Sequence, residues 1–141
     1  MYKEFENYLS LFSNDMEVGD YWHDVGNLHA FGLLEQFSKA DWEDLLSEVS
    51  QKNDAWAVRF CEVVGDFSNA DILLVLLEFI SRESRDVYFA ALEVIRSIAG
   101  QGGDVSECAR QIGCIIGDGR RTTDVLDVAS LESIKKKLES I

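Results

Sequence analysis

An all-α fold of seven to eight antiparallel helices is what this sequence predicts, and three observations predict it. None of the 141 residues is Pro, where average usage of roughly 5% would supply about seven. Pro breaks helix interiors, so its absence leaves the chain free to be helical throughout. Apolar residues recur with a period near 3.6 from end to end. Glycines fall mostly between the periodic segments, at Gly65, Gly100, Gly102, Gly103, Gly117 and Gly119. One domain spanning 1–141 is expected, long enough for a continuous core.

The elements follow in order. Residues 2–12 place Tyr2, Phe5, Tyr8, Leu9 and Phe12 on one face. Residues 20–37 do the same with Tyr21, Trp22, Val25, Leu28, Phe31, Leu34 and Phe37, with Gly26 and Gly32 as points of bending. Ser38-Lys39-Ala40-Asp41 is a capping box with Asp in the acidic position. It opens a helix that turns Trp42, Leu45, Leu46 and Val49 inward. Asn53 is an N-cap for the next helix, which carries Trp56, Phe60, Val63 and Val64. Residues 69–81 are apolar nearly all round and should lie centrally. Ser84 caps residues 85–99, with Gly100 as a left-handed stop. Asp104 opens a helix to about Ile116, and a further helix is expected from about Thr123 to Ile141.

The chain repeats itself. A shift of 31 residues lays Leu45, Leu46, Val49 and Ser50 on Leu76, Leu77, Ile80 and Ser81. The same shift lays Trp56, Phe60, Val63 and Val64 on Val87, Ala91, Val94 and Ile95. Helical-hairpin arrays have this form, because each hairpin buries its apolar stripe only against its neighbours. Residues 104–141 read as a degenerate third unit. Shared periodicity in a general helical domain is the competing explanation of the matches.

Charge is divided unevenly. Residues 1–81 hold sixteen acids against Lys3, Lys39, Lys52 and Arg59, whereas residues 82–141 hold ten acids against nine bases. Such a field repels nucleic acid and anionic lipid and attracts basic proteins. The longest apolar runs fall short of a membrane span, and the N-terminus is charged rather than signal-like. A cytoplasmic monomer is expected. Cys61, Cys108 and Cys114 lie within helical apolar patterns and read as small buried side chains in a reducing compartment.

Catalytic signatures are absent from the sequence. His23 and His29 are six apart and share no helix face. Gly100–Gly103 and Gly117–Gly119 lack the following Lys-Ser/Thr of a phosphate loop. No nucleophile elbow occurs, and no His is placed to activate a Cys. The expectation is a protein that is not an enzyme, with no catalytic residue, cofactor or metal.

The carboxylates point to binding instead. Asp41, Asp44 and Glu48 stand at i, i+3 and i+7 and line one stripe at the rim of the apolar face of their helix. Glu43 adds charge on that helix, and Asp54 opens the next. Asp20 and Asp24 are interleaved with Tyr21 and Trp22, where an aromatic ring supplies an anchor and carboxylates supply steering. Core packing is the alternative role for both aromatics. The candidate partner-binding residues are Asp20, Tyr21, Asp24, Asp41, Glu43, Asp44, Glu48 and Asp54, the acids among them expected off the apolar faces.

The run Trp42-x-x-Leu45-Leu46, Trp56-x-x-Arg59-Phe60 and Gly65-Asp66, in a small acidic helical chain, resembles the HEAT-like immunity proteins of bacterial polymorphic toxin systems, including contact-dependent growth inhibition. The resemblance covers roughly residues 38–100. It implies HEAT-like hairpins stacked as a short right-handed array. It also implies a cytoplasmic inhibitor that binds one cognate toxin C-terminal domain, a basic nuclease, and occludes its active site. Immunity surfaces vary with their toxins, so no binding residue is carried over. The alternative function is a helical-repeat adaptor for a peptide or protein partner.

Overall fold

A computed structural model describes residues 1–65 and 70–117. All regular structure among them is helical, with seven α-helices and no strand. These are α1 Tyr2–Ser10, α2 Asn27–Leu34, α3 Lys39–Glu48, α4 Asp54–Val64, α5 Ala70–Ile80, α6 Arg85–Gly100 and α7 Ser106–Gly117. A π-helical turn, Trp22–Gly26, leads into α2, and a 3-10 turn, Val49–Gln51, prolongs α3. The helix expected over 123–141 lies outside the described residues, as does most of the third repeat unit.

Local signals placed several helix starts correctly. Ser38 Oγ accepts the Asp41 N–H at 3.3 Å while Asp41 Oδ2 accepts the Ser38 N–H at 2.8 Å, a reciprocal capping box. Asn53 Oδ1 accepts from Trp56 N at 2.8 Å, and Ser84 Oγ from Val87 N at 3.4 Å. Each such bond satisfies a backbone donor that the helix itself cannot. The end of α6 differs from expectation. The helix runs through Gly100, and the left-handed residue is Gly102, φ +85°. Gly103 N then donates to Ile98 O at 2.9 Å and Gly102 N to Ala99 O at 3.1 Å, the paired bonds of a Schellman stop.

The core is aromatic at its centre. Trp56 stacks on Phe60 with ring centroids 5.5 Å apart, Phe5 meets both edge-on, and Phe79 meets Phe60 edge-on. Around them α4 packs on α6, and α6 on α5. The 31-residue shift is obeyed by burial. Trp56, Phe60, Val63 and Val64 are buried, and so are Val87, Ala91, Val94 and Ile95. Leu45 and Leu76 are buried alike, as are Val49 and Ile80, and the caps Asn53 and Ser84 are also 31 apart. Helix α5 is buried through Ile72, Val75, Leu76, Phe79 and Ile80, but Leu74 reaches solvent. Its uniform apolarity therefore overstates its centrality.

The segment before α2 departs furthest from the 3.6 pattern. Val25 and Leu28, expected inside, are exposed, and so is Tyr21, for which the sequence leaves both a core and a partner-binding role open. The buried positions are Trp22, Gly26, Ala30 and Leu34, every fourth residue. A π turn holds an extra residue, and one extra residue rotates the following face by about 100°. Gly26 makes the turn possible through closeness rather than dihedral freedom. A Cβ there would lie 3.0 Å from the Trp22 ring and 3.4 Å from that of Phe12.

A buried cation closes this half of the molecule. Arg59, in α4, is 2% exposed. Its Nε donates to Phe12 O at 3.1 Å, and Nη2 to the carbonyls of Asp15 and Met16. Nη1 pairs with Glu62. Asn53 Nδ2 adds a bond to Ser13 O at 3.0 Å. Together they tie the connection between α1 and the π turn to α4.

Two stability outcomes follow. Replacing Trp56 by Ala leaves a cavity against Phe5 and Phe60 and should cost ~3–5 kcal/mol in denaturant unfolding; an unchanged midpoint would remove Trp56 from the core. Arg59→Met keeps the volume but strands the loop carbonyls, so about 3 kcal/mol or more should be lost. Amide exchange in residues 12–19 should accelerate more than in α6, and uniform acceleration would argue against a local tie.

Candidate functional site

The eight candidate residues separate into three places. Asp41, Asp44 and Glu48 line one cleft of about 300 Å³, as their helical spacing requires. Met1, Tyr2 and Lys3 at the start of α1, with Ser47, complete it. Asp54 does not join this cleft; its carboxylate lies 3.2 Å from Arg82 Nη1 at the end of α5. Asp20, Tyr21 and Asp24 sit on the approach to α2, around the π turn, and all three are exposed.

The cleft is largely committed to holding α1 against α3. Asp41 accepts from the backbone N–H groups of Ser38 at 2.8 Å and Tyr2 at 3.0 Å and lies 3.3 Å from the terminal ammonium. Those donors, the Ser38 amide foremost, hold its carboxyl well below the usual carboxylate range. Glu48 accepts from the Tyr2 hydroxyl at 2.5 Å. Burial first, and then the Glu48 carboxylate, push the Tyr2 phenol far above its usual range. Asp41 is thus ionised and Tyr2 protonated across the ordinary pH range, so neither is poised to exchange a proton near neutrality.

Solvent exposure of the candidates needs correcting at three positions, one of which is Asp54, partly covered where it pairs with Arg82. Glu48 is half-buried rather than solvent-facing, because the Tyr2 ring covers it and its hydroxyl bonds it. Asp41 is also half-buried, since the start of α1 lies over its cap. Glu43 and Asp44 remain exposed, and neither forms an ion pair among the described residues.

Few groups elsewhere suggest chemistry. Burial raises the thiol pKa of Cys61, and raises that of Cys108 to about 11, so both stay protonated. Cys114 is exposed, not buried as its periodicity suggested. The rings of His29 and Tyr8 are 4.5 Å apart, and His23 is exposed. Among the described residues no group of three His, Cys, Asp or Glu is arranged to hold a metal, and no helix is long and apolar enough to cross a membrane.

Residue spacing alone missed Tyr2 as the partner of Glu48, Arg59 as a buried cation, and Val25 and Leu28 as surface residues. Arg59 had one legible sign: it falls between Trp56 and Phe60, beside the inward stripe. Tyr2 had none, because its partner is 46 residues away. Compared with family models, with curated proteins and with solved structures, the chain shows no match.

The depressed acidity of Asp41 has a pH consequence. A carboxyl whose folded pKa lies below its unfolded value stabilises the fold above about pH 4 and loses that contribution as pH falls further. Asp41→Asn should therefore unfold at lower urea than the parent at pH 7. The gap should narrow steadily below about pH 4, and a gap independent of pH would show that the charge of Asp41 contributes nothing.

Proposed function

We propose that this chain is an immunity protein, a stoichiometric inhibitor that binds a basic toxin domain and covers its active site. One observation supports the reading above others: in the N-terminal half two of the four bases are drawn into structural contacts, and exposed carboxylates outnumber the two bases left exposed, Lys3 and Lys39. Of its four Lys and Arg residues, Arg59 is buried and Lys52 is held 3.0 Å from Glu6, over the rings of Tyr2 and Trp56. Asp20, Asp24, Glu43 and Asp44 remain exposed. A surface of this sign attracts a basic partner over distance and fixes its register on contact.

The chain binds rather than catalyses in this reading, works in the cytoplasm, and needs no cofactor. The matched burial of the two 31-residue units supports a HEAT-like arrangement of hairpins in a short right-handed array. Such an array is rigid and presents preformed surface, which limits the ordering cost of association. The occlusion mechanism requires carboxylates to meet the Lys, Arg or His residues that a nuclease uses on its substrate. Close charge pairs at such interfaces couple by ~1.5–7 kcal/mol.

Co-expression with a basic C-terminal toxin domain encoded beside this chain tests the reading. A one-to-one complex that abolishes toxicity is expected, with association slowing as salt rises. Glu43→Lys with Asp44→Lys should leave the unfolding midpoint unchanged, since both are exposed, and weaken the complex tenfold or more, about 1.4 kcal/mol. Glu48 is left unaltered because Tyr2 depends on it. Unchanged affinity after reversal of Asp20, Asp24, Glu43 and Asp44 together would move the interface off this acidic half.

A further inference from the structure

An apolar row lies on the surface around the π turn. Tyr21, Val25 and Leu28 are 59, 48 and 67% exposed. They fall within eight residues, on and beside the π turn. Among the described residues only Leu11 and Leu74 are comparably exposed large apolar side chains, so three of five lie in this row. Asp20 and Asp24, both exposed, border it. From residue 4 to residue 38 the chain holds seven acids and no Lys or Arg. The row is also ordered, because the Tyr21 ring stacks on Phe12 with centroids 6.2 Å apart and planes 15° from parallel.

We propose that Tyr21, Val25 and Leu28, rimmed by Asp20 and Asp24, form the docking face for a basic partner protein whose own apolar contact is bordered by Lys or Arg. The inference rests on the binding-protein reading above and places the apolar anchor of the contact on the approach to α2, with Glu43 and Asp44 on α3 adding charge that attracts the same partner. Charge complementarity selects the occupant. A second copy of this chain would bring Asp20 and Asp24 against their own kind, which costs affinity. Anionic lipid and nucleic acid meet the same repulsion. An exposed apolar cluster with a polar rim is the form that protein contact sites take, and an aromatic already held in place loses little freedom on binding. Helices carrying π turns often have them at functional places. Here the turn lies between Tyr21 and Leu28, in the middle of the row.

The test is an NMR titration of the full, isotopically labelled chain with a synthetic amphipathic peptide bearing a Leu stripe and a Lys face. Amide shifts concentrated in residues 20–28 are expected. Val25→Ser with Leu28→Ser should weaken binding by on the order of tenfold, the loss typical of truncating an interface anchor. Asp20→Asn with Asp24→Asn should weaken it as well and flatten its salt dependence. Both variants alter exposed side chains, so helical circular dichroism and melting temperature should hold. Shifts concentrated in residues 41–48, with the Val25/Leu28 variant binding as tightly as the parent, would overturn the docking face and leave an acidic binding protein. No binding at low salt would remove both readings. A peptide-free dimer that dissociates in the Val25/Leu28 variant would assign the row to a second copy. Shifts of residues 118–141 in that variant without peptide would assign it to the chain's own C-terminal segment. Either result overturns the proposal.

Discussion

The buried guanidinium of Arg59 is the constraint around which the N-terminal half is built. A cation removed from water must find its hydrogen bonds inside the protein, or the fold cannot carry it. Here the acceptors are main-chain carbonyls of Phe12, Asp15 and Met16, together with the Glu62 carboxylate. Carbonyls just past a helix end have no intrahelical donor, so the cation and the end of α1 each supply what the other lacks. The exit of α1 is thereby set on α4, and the position of the π turn follows. Tyr8, Phe12 and Trp22 then pack beneath that turn.

Arg82 plays a related part between the two repeat units. Nη2 donates to Val49 O at 2.9 Å, Nη1 to Asp54 at 3.2 Å, and Nε to Glu78, while the guanidinium lies 5.2 Å from the Phe79 ring. One planar side chain joins the start of the 3-10 turn, the start of α4 and the end of α5. Arg suits this role because its donors are fixed in a fork and its face tolerates an aromatic neighbour. Structural use of cations also shapes the surface. Arg59 and Lys52 are taken up by carbonyls, rings and Glu6, so carboxylates are left to set the field that solvent and partners meet. The acidic exterior is partly a consequence of how the interior is held.

Helix phase is the second determinant of that exterior. The apolar spacing over 20–34 groups Tyr21, Val25 and Leu28 with Trp22, Phe31 and Leu34 on one face of a regular α-helix. The π turn shifts the buried row to Trp22, Gly26, Ala30 and Leu34. What makes the shift feasible is a missing side chain: Gly26 lets the Trp22 and Phe12 rings close to a distance that a Cβ would contest. One glycine thus helps decide which side chains are core and which are surface.

The sequence by itself determined whatever is local. Ser38 with Asp41, Asn53 and Ser84 were legible as caps because the bonds that make a cap span three residues. Trp56, Phe60, Val87 and Ala91 were legible as core because an unbroken α-helix converts spacing into facing, and the repeat reinforced it. Only the tertiary structure decided the rest. Spacing put Asp41, Asp44 and Glu48 on one stripe, but it could not show that Tyr2 arrives from 46 residues away to occupy Glu48. Nor could it show that Arg59 turns inward, since a charge is buried only where distant carbonyls converge to receive it. The α6 stop moved from Gly100 to Gly102 because several glycines are permissive there, and Gly103 just beyond it closes on Ile98 where a Cβ would clash. The exposed row before α2 escaped for the same reason: a π turn is chosen by what packs on it, and no periodicity records the extra residue.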